Sequence, residues 1–374
     1  RRPPRSTLFP YTTLFRSCSA GHELQQDFLL GQAMSNNSDI EHEALLKEGL
    51  RSLVLHEVGH TLGLNHNMKA SILWDEKEVH DKTKTQGILT GSVMDYSPIN
   101  AAPVGVEQGN FFQTKPGPYD DWAIEYGYST ALEDPAQEQA RLAKILSRSN
   151  EHGLAFGNDA DDMRAPGRHI DPRIMTRDLS SNPVAYAVDR MGLINHLFGE
   201  LKEKTLVEGQ SHQQLLISAN SLFGQYRSQA NVISRQIGGV YVERNVVDST
   251  VDKAQQKKPY TPVPKATQKA AMQALTDNVF ATDTLASMQP LYSYMQHQRR
   301  GFNHYGKNED PKVHSMILNM QKSVLSQVLH ANVLKRISDT SLYGNEYSLN
   351  EVLTDLTDAI FVDKNKATIY KLNM

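Results

Sequence analysis

The chain is poor in cysteine, with a single residue of this type, Cys18, among 374. No disulfide bond can form within it, so cysteine usage does not indicate a redox compartment. The sequence also contains no run of roughly eighteen apolar residues, which is the length that a membrane-spanning helix requires. We therefore expect no membrane span.

Excess positive charge is absent as well. The formal net charge is −3, whereas surfaces that bind nucleic acid carry clustered lysine and arginine. A nucleic-acid partner is therefore not expected. The length suffices for two domains with sizeable cores, and nothing in the sequence indicates an oligomeric state.

Residues 56–66 read His-Glu-Val-Gly-His-Thr-Leu-Gly-Leu-Asn-His. His56 and His60 are four residues apart, so on a helix both imidazoles project from one face and can share one metal ion. Glu57 follows His56 directly, which places its carboxylate beside an open coordination position rather than on the metal. The spacing predicts a metal-binding helix with Glu57 as general base.

The same string supplies a third ligand. Gly63 can adopt a left-handed backbone that ends a helix, and the chain can then return His66 towards the first two histidines. Three imidazoles and one water are typical of a catalytic zinc site, whereas a structural site usually has four protein ligands. Surface histidines on an amphipathic helix would explain neither Gly63 nor His66. We therefore expect one catalytic Zn²⁺, held by His56, His60 and His66.

A second motif, Ser-Val-Met-Asp-Tyr, follows at residues 92–96. Long histidine zinc motifs are paired with a Met-turn, a tight turn whose methionine packs beneath the metal ligands. Methionine is also a common filler of apolar cores, so Met94 alone would not indicate a site. After this zinc motif, Met94 is interpreted as the structural methionine of a Met-turn.

These motifs resemble those of the bacterial Met-zincin proteins, which are zinc-dependent metalloproteases of the metzincin clan with an EcxA-type zinc-binding domain. The strings that carry the resemblance are His-Glu-Val-Gly-His-Thr-Leu-Gly-Leu-Asn-His-Asn-Met-Lys-Ala-Ser (56–71), Ser-Val-Met-Asp-Tyr (92–96), Gly-Pro-Tyr-Asp-Asp-Trp-Ala-Ile-Glu-Tyr-Gly-Tyr (117–128), Gly-Asn-Asp-Ala-Asp-Asp-Met-Arg-Ala-Pro-Gly (157–167) and Ile-Asp-Pro-Arg (170–173). The resemblance implies an exported enzyme, in the periplasm, at the outer membrane or outside the cell, that acts on protein or peptide substrates.

The expected reaction is metal-assisted hydrolysis of a peptide bond. Zinc lowers the pKa of its bound water from roughly 15.7 to roughly 7, and Glu57 accepts the proton of that water and returns it to the leaving amine. The alternative is a non-catalytic binding or scaffold module that zinc stabilises. The presence of Glu57 beside an open three-histidine site argues against that alternative.

Tyr96 lies two residues after the methionine, and this arrangement resembles that of the astacins and serralysins. There the phenol approaches zinc in the empty site and hydrogen-bonds the oxyanion in the transition state. The resemblance therefore implies a catalytic role for Tyr96. A half-buried tyrosine of a turn, without any role in the reaction, is the alternative interpretation.

Residues 1–17 resemble the translation of a short-read sequencing adapter, so we expect this segment to be a non-native artefact. Without its four arginines the net charge changes from −3 to −7. Metzincin domains place a twisted sheet before the active-site helix. The resemblance therefore implies that an upstream β-sheet subdomain is largely missing from this fragment.

The remaining chain reads as α+β and mostly α, with a metzincin-like active-site helix and Met-turn followed by a C-terminal helical bundle. We expect a truncated zinc catalytic domain over residues 18–130 and an α-helical C-terminal region over 131–374. Ser38 and Glu41 have the spacing of a capping box. The active-site helix is expected to begin there and to end near Leu62.

Residues 67–118 are rich in glycine and proline and are expected to form loops. Asp134 and Pro135 are typical of a helix start, and that helix is expected to continue to about Ser149. Further helices are predicted over about 183–205, 210–237, 265–278, 281–298, 311–338 and 348–359, with a short strand at 239–242 and a linker at 257–264.

Two further clusters have competing interpretations. The acidic loop at residues 158–162 lacks the spacing of an EF-hand, so Asx-turns and helix caps are favoured over a calcium site. Tyr119, Trp122, Tyr126 and Tyr128 are interpreted as core packing, with substrate contact as the alternative.

Overall fold

The computed structural model describes residues 20–34, 39–244, 258–297 and 310–361. The expectations for residues 1–17 and for the capping box at Ser38 lie outside this part of the chain. The α-helices within it are α1 (Ala20–Met34), α2 (Asp39–Thr61), α3 (Lys82–Thr85), α4 (Pro118–Tyr128), α5 (Pro135–Ser147), α6 (Asp159–Asp162), α7 (Pro183–Thr205), α8 (Gln213–Ser234), α9 (Lys265–Leu275), α10 (Val313–Val328), α11 (Ala331–Thr340) and α12 (Leu349–Phe361). Short 3-10 segments occur at Ala70–Leu73, Glu78–His80, Arg148–Asn150, Ala286–Tyr294 and Ser341–Tyr343, and a π-helical segment at Thr276–Phe280.

The sheet consists of two short antiparallel strands. They are β1 (Val240–Val242) and β2 (Tyr260–Pro262), with Tyr241 opposite Thr261. Helices make up the other long elements of the described ranges, which confirms the predicted class, α+β and mostly α. Across these ranges, none of the helices combines the length and apolar character needed to cross a membrane.

Helix α2 is packed on one face and open on another. Leu45 is buried, and a Cβ added to Gly49 would lie 2.6 Å from the Phe28 ring of α1, so α1 and α2 are in close contact. On a neighbouring face, aliphatic side chains recur at every fourth position and are 37–59% exposed; they are Leu46, Leu50, Val54 and Val58 of α2 and Leu62 just after it. Contiguous exposed apolar surface of this kind is uncommon on a folded chain.

One hydrophobic core extends from helix α2 into the C-terminal helices. It contains Leu45 of α2, Ile99 of the following loops, Phe198 of α7, Tyr226 of α8 and Leu356 of α12. Helix α1 packs on α2 and also on α7 and α8, so the C-terminal helices support α2 through α1. The division of the chain into two domains near residue 130 stays a prediction.

Several predicted helix limits agree with the structure to within a few residues. Helix α2 ends one residue before the predicted Leu62, and α7 has the predicted limits. At the start of α5, Asp134 accepts a hydrogen bond from the backbone N–H of Ala136 at 2.9 Å. The side chain of Asp134 thus acts as the predicted N-cap.

Three predictions for the C-terminal region were wrong. Within the predicted helix 281–298, residues Ala286–Tyr294 form a 3-10 helix that contains Pro290 rather than an α-helix, because proline lacks the N–H that an α-helix interior needs. The segment 311–338 forms α10 and α11 instead of one helix, and His330 caps α11 by accepting from the N–H of Asn332. The predicted linker contains β2.

The aromatic cluster of helix α4 was only partly predicted. Tyr119 and Trp122 are half-buried, and Tyr119 stacks on Phe156 with ring centroids 5.5 Å apart. Tyr126 and Tyr128 are exposed instead, by 40% and 61%, so the expectation of core packing was wrong for these two. The helix itself begins with Pro118 at its first turn, a position that suits proline.

Candidate metal centre

Three histidines converge at the end of α2. Each of His56, His60 and His66 offers a ring nitrogen, and these nitrogens lie within 4.8 Å of one another. The Nε2 atoms of His60 and His66 are 3.1 Å apart. His56 and His66 are buried and His60 is half-buried. The structure therefore brings together the ligand set that the sequence predicted.

The backbone after α2 explains how His66 returns to this point. Gly63 has φ +88°, a left-handed value that glycine adopts without steric cost. The N–H of Leu64 donates to the carbonyl of Gly59 at 3.1 Å, and the N–H of Gly63 donates to that of His60 at 3.0 Å. These bonds end the helix and reverse the chain, so that the third histidine faces the first two.

An oxygen acceptor lies at the Nδ1 atom of each histidine. His56 Nδ1 is 2.9 Å from the carbonyl oxygen of Val93, and His60 Nδ1 is 3.1 Å from that of Leu64. His66 Nδ1 is 2.6 Å from a carboxylate oxygen of Asp159. Carbonyl and carboxylate oxygens only accept hydrogen bonds, so each Nδ1 carries the hydrogen and each Nε2 carries the lone pair.

This chemistry fits a metal ion. A neutral imidazole binds a metal through the nitrogen that lacks hydrogen, and its other N–H is usually held by an oxygen acceptor. Three such nitrogens at short distances, from a set without thiolates, match the donor set of a catalytic zinc site. The residues present therefore fit Zn²⁺ as the ion that His56, His60 and His66 would hold.

Met94 lies beneath the two helical histidines. Its side chain is fully buried, and a Cβ added to Gly59 would lie 2.3 Å from its sulfur. The sulfur is thus in contact with the backbone of α2 between His56 and His60. The carbonyl of Met94 accepts from the N–H of Asn67 at 2.9 Å, next to His66. Both chain segments that carry the ligands are therefore fixed to this turn.

The turn itself is held by a buried carboxylate. Asp120 of α4 accepts from the hydroxyl of Ser92 at 2.5 Å and from the backbone N–H of Val93 at 2.8 Å. Ser92 in turn accepts from the N–H of Met94 at 3.0 Å. No local pattern indicates this role for Asp120, which depends on α4 packing against the turn.

Tyr96 and Glu57 complete the centre. The phenol oxygen of Tyr96 is 3.0 Å from Nε2 of His66, and its ring is 95% buried. Its ring centroid lies 5.3 Å from that of His56. Glu57 is half-buried on α2, directly after His56. A cavity beside His56 is lined by Leu53, Tyr96, Pro98 and Phe112, among others.

The acidic loop contributes caps, ion pairs and one contact to the metal centre. Asn158 accepts from the N–H of Ala160 at 3.0 Å as the N-cap of α6, and Asp161 accepts from the N–H of Asn158 at 3.1 Å. Asp162 is buried and paired with Arg235. These contacts agree with the favoured interpretation of caps. The sequence did not reveal that Asp159 contacts His66, because the two residues are 93 positions apart.

A buried pair of carboxyl groups lies behind the Met-turn. Asp95 and Asp178 repel each other when both are ionised, and Asp178 accepts from the hydroxyl of Ser71 at 2.9 Å. Burial raises the pKa of Asp178 to about 8. Burial, with a further contribution from Asp178, also raises the pKa of Asp95 well above its usual value. Sequence reasoning missed this pair, since nothing local indicates that either carboxyl is buried.

The comparisons with known proteins agree with this geometry. A family model described as Met-zincin matches residues 38–368, a range that contains the three histidines, the Met-turn and most of the C-terminal helices. No curated protein and no solved structure matches the chain.

Proposed function

Because the chain belongs to the Met-zincin family, a type of zinc metallopeptidase, we propose that it is a metalloendopeptidase that hydrolyses peptide bonds. The observation that carries the proposal is the set of three histidines, each with an oxygen acceptor at Nδ1. This arrangement leaves a coordination position for water and substrate, as in catalytic zinc sites. Export from a bacterial cell, which the family resemblance implies, is part of the proposal.

The metal ligands and Glu57 would have different roles in the reaction. A zinc ion held here would lower the pKa of a coordinated water and polarise the carbonyl of the scissile bond. Glu57 would accept the proton of the attacking water and deliver it to the leaving amine. Its half-buried position beside His56 supports this role, because a general base must reach the water without occupying the metal.

Tyr96 would act on the oxygen of the tetrahedral intermediate. Its hydroxyl lies 3.0 Å from Nε2 of His66, within reach of a substrate oxygen at the metal. A preorganised donor of this kind contributes about 2 to 4 kcal/mol to transition-state stability. The position of this hydroxyl at a nitrogen of a metal ligand supports the catalytic interpretation over that of an inert turn residue.

We expect Tyr96→Phe to lower kcat by roughly 100-fold, the rate equivalent of about 3 kcal/mol. Zinc content should remain at the wild-type level, because the three ligands are unchanged. Steady-state kinetics on a peptide substrate, with zinc measured by elemental analysis, would check this. A variant with wild-type kcat would remove Tyr96 from the mechanism.

The cavity beside His56 is the proposed pocket for a substrate side chain. It lies between α2 and the segment after the Met-turn, with Leu53, Pro98 and Phe112 among its apolar walls. Polar side chains, among them Asp27, Ser52 and Gln113, complete the lining. Protein or peptide chains are the proposed substrates because the family is one of peptidases.

The function is tested by removing the metal and restoring it. We expect purified full-length protein to contain one zinc per chain and to cleave a denatured protein substrate. A chelator should abolish cleavage, and added Zn²⁺ should restore it. His60→Ala is the control, since it removes a ligand and should neither bind zinc with normal affinity nor cleave. Zinc binding without cleavage would favour the alternative, a scaffold that zinc stabilises.

A further inference from the structure

We propose that Asp159 is a positioning residue of the metal centre, which holds the ring of His66 in the orientation and tautomer that metal binding requires. The inference rests on the proposed zinc site, but it concerns how that site is built. Its consequence is that residues 158–164, far downstream of the zinc motif, complete the metal centre.

The contact between Asp159 and His66 differs in kind from those at the other ligands. His56 and His60 are held by backbone carbonyls, whereas His66 Nδ1 lies 2.6 Å from the Asp159 carboxylate. A carboxylate is the stronger acceptor, and the resulting hydrogen bond makes the imidazole a better metal ligand. His66 also follows a chain reversal, so it lacks the helical backbone that positions the other two.

The Asp159 carboxylate is itself held in place. Arg164 lies 3.4 Å from Asp159 and donates to Asp162 at 2.9 Å. Asp162 is fully buried and accepts at 2.6 Å from Arg235, at the C-terminal end of α8. The buried ion pair between Asp162 and Arg235 therefore anchors this segment to the C-terminal helices. Asp159, in the same segment, contacts His66.

The backbone after α6 is bent to make these contacts. Met163 and Arg164 have φ values of +48° and +45°, in the left-handed region that non-glycine residues rarely occupy. Such strain persists only where the surrounding structure enforces it. Here the bend returns Arg164 over the ring of Tyr96, with its guanidinium carbon 5.5 Å from the ring centroid. One short segment thus contacts both His66 and Tyr96.

The test is the zinc affinity of the full chain, measured by competition with a chromophoric chelator. We expect Asp159→Ala to weaken zinc binding by about 10- to 100-fold, the usual effect of losing a partner of this kind. Asp159→Asn, which keeps an acceptor oxygen but not the charge, should fall between Ala and wild type. Asp339→Ala and Asp339→Asn are the matched controls, because Asp339 is an exposed aspartate of α11 and both variants should bind zinc as wild type does.

A second readout separates positioning from general loss of structure. In the zinc-free protein, the ¹⁵N shifts of His66 should report an Nδ1–H tautomer, and Asp159→Ala should lose that preference while its circular dichroism stays unchanged. Folded Asp159→Ala with zinc affinity within about twofold of wild type would overturn the proposal. Should the alanine variant not fold, Asp159→Asn decides, and wild-type affinity there would likewise overturn it.

The outcome is independent of peptidase activity. If wild type binds zinc but cleaves no peptide, the proposed function fails while the affinity series still tests Asp159. If wild type binds no zinc, the site on which both proposals rest is wrong.

Discussion

Glu57→Gln is expected to lower kcat/KM for peptide hydrolysis by about 10²- to 10⁴-fold, the usual contribution of a general acid–base group. Glutamine has nearly the same shape as glutamate but cannot accept the proton of the attacking water. The histidines and the Met-turn remain unchanged, so zinc content should stay at one per chain. Kinetics and elemental analysis on the same preparation would measure both quantities.

The matched control for this variant is Glu43→Gln. Glu43 lies on the same helix, is exposed and pairs with Lys47 at the surface, so the activity of Glu43→Gln should equal that of wild type. Full activity of Glu57→Gln would contradict the general-base role. Loss of zinc from that variant would instead show that Glu57 helps to hold the metal.

Between pH 6.5 and 8 the stability of the chain should fall as pH rises, and Asp178→Asn should reduce that dependence while the part due to Asp95 remains. The pKa of Asp178 is raised in the folded state to about 8 from a reference of 3.8, so folding favours the protonated carboxyl. The stabilising contribution is complete below pH 4 and is lost as pH rises through 8. At about 1.4 kcal/mol per pKa unit, a shift of this size corresponds to a loss of several kcal/mol.

Urea unfolding at several pH values between 5 and 9 would measure this effect. The experiment is best done without zinc, because deprotonation of the metal ligands would add its own pH dependence. The asparagine amide keeps an acceptor for the hydroxyl of Ser71, which donates to Asp178 at 2.9 Å. Asp121→Asn, an exposed site on α4, is the control. An equal pH slope in wild type and Asp178→Asn would contradict the prediction.

The parts of the site that could be predicted from sequence are those encoded locally. His56 and His60 are related by helix geometry, and Gly63 and His66 by the geometry of a helix end. Within the described residues the structure brings the three histidines together as that local reasoning expects. The same holds for α2, whose last residue is one position from the predicted end.

The contacts that sequence reasoning missed are those between distant segments. Asp159 reaches His66 across 93 positions, and Asp178 lies 107 positions from Ser71. An isolated aspartate has no local feature that shows whether it caps a helix, pairs with an arginine or is buried. Only the packing of the C-terminal helices against the loops after α2 decides between these outcomes.

Helix continuity was overestimated for a similar reason. The apolar pattern over 311–338 continues in helical register, and its period does not reveal the break at Leu329 and His330. A polar side chain that caps a new helix can interrupt a pattern that hydrophobicity alone would extend. The proline in 281–298 was a local signal, and that helix could have been rejected from sequence.

The contact between Met94 and Gly59 also determines how the chain responds to oxidants. Oxidation converts the thioether of methionine to a polar sulfoxide and needs access to the sulfur. Met94 exposes no surface, and its sulfur lies against the helix backbone, whereas Met163 is 53% exposed in the segment that carries Asp159. Peroxide should therefore modify Met163 before Met94. Sulfoxide at Met94 would report that the turn beneath the metal centre has opened.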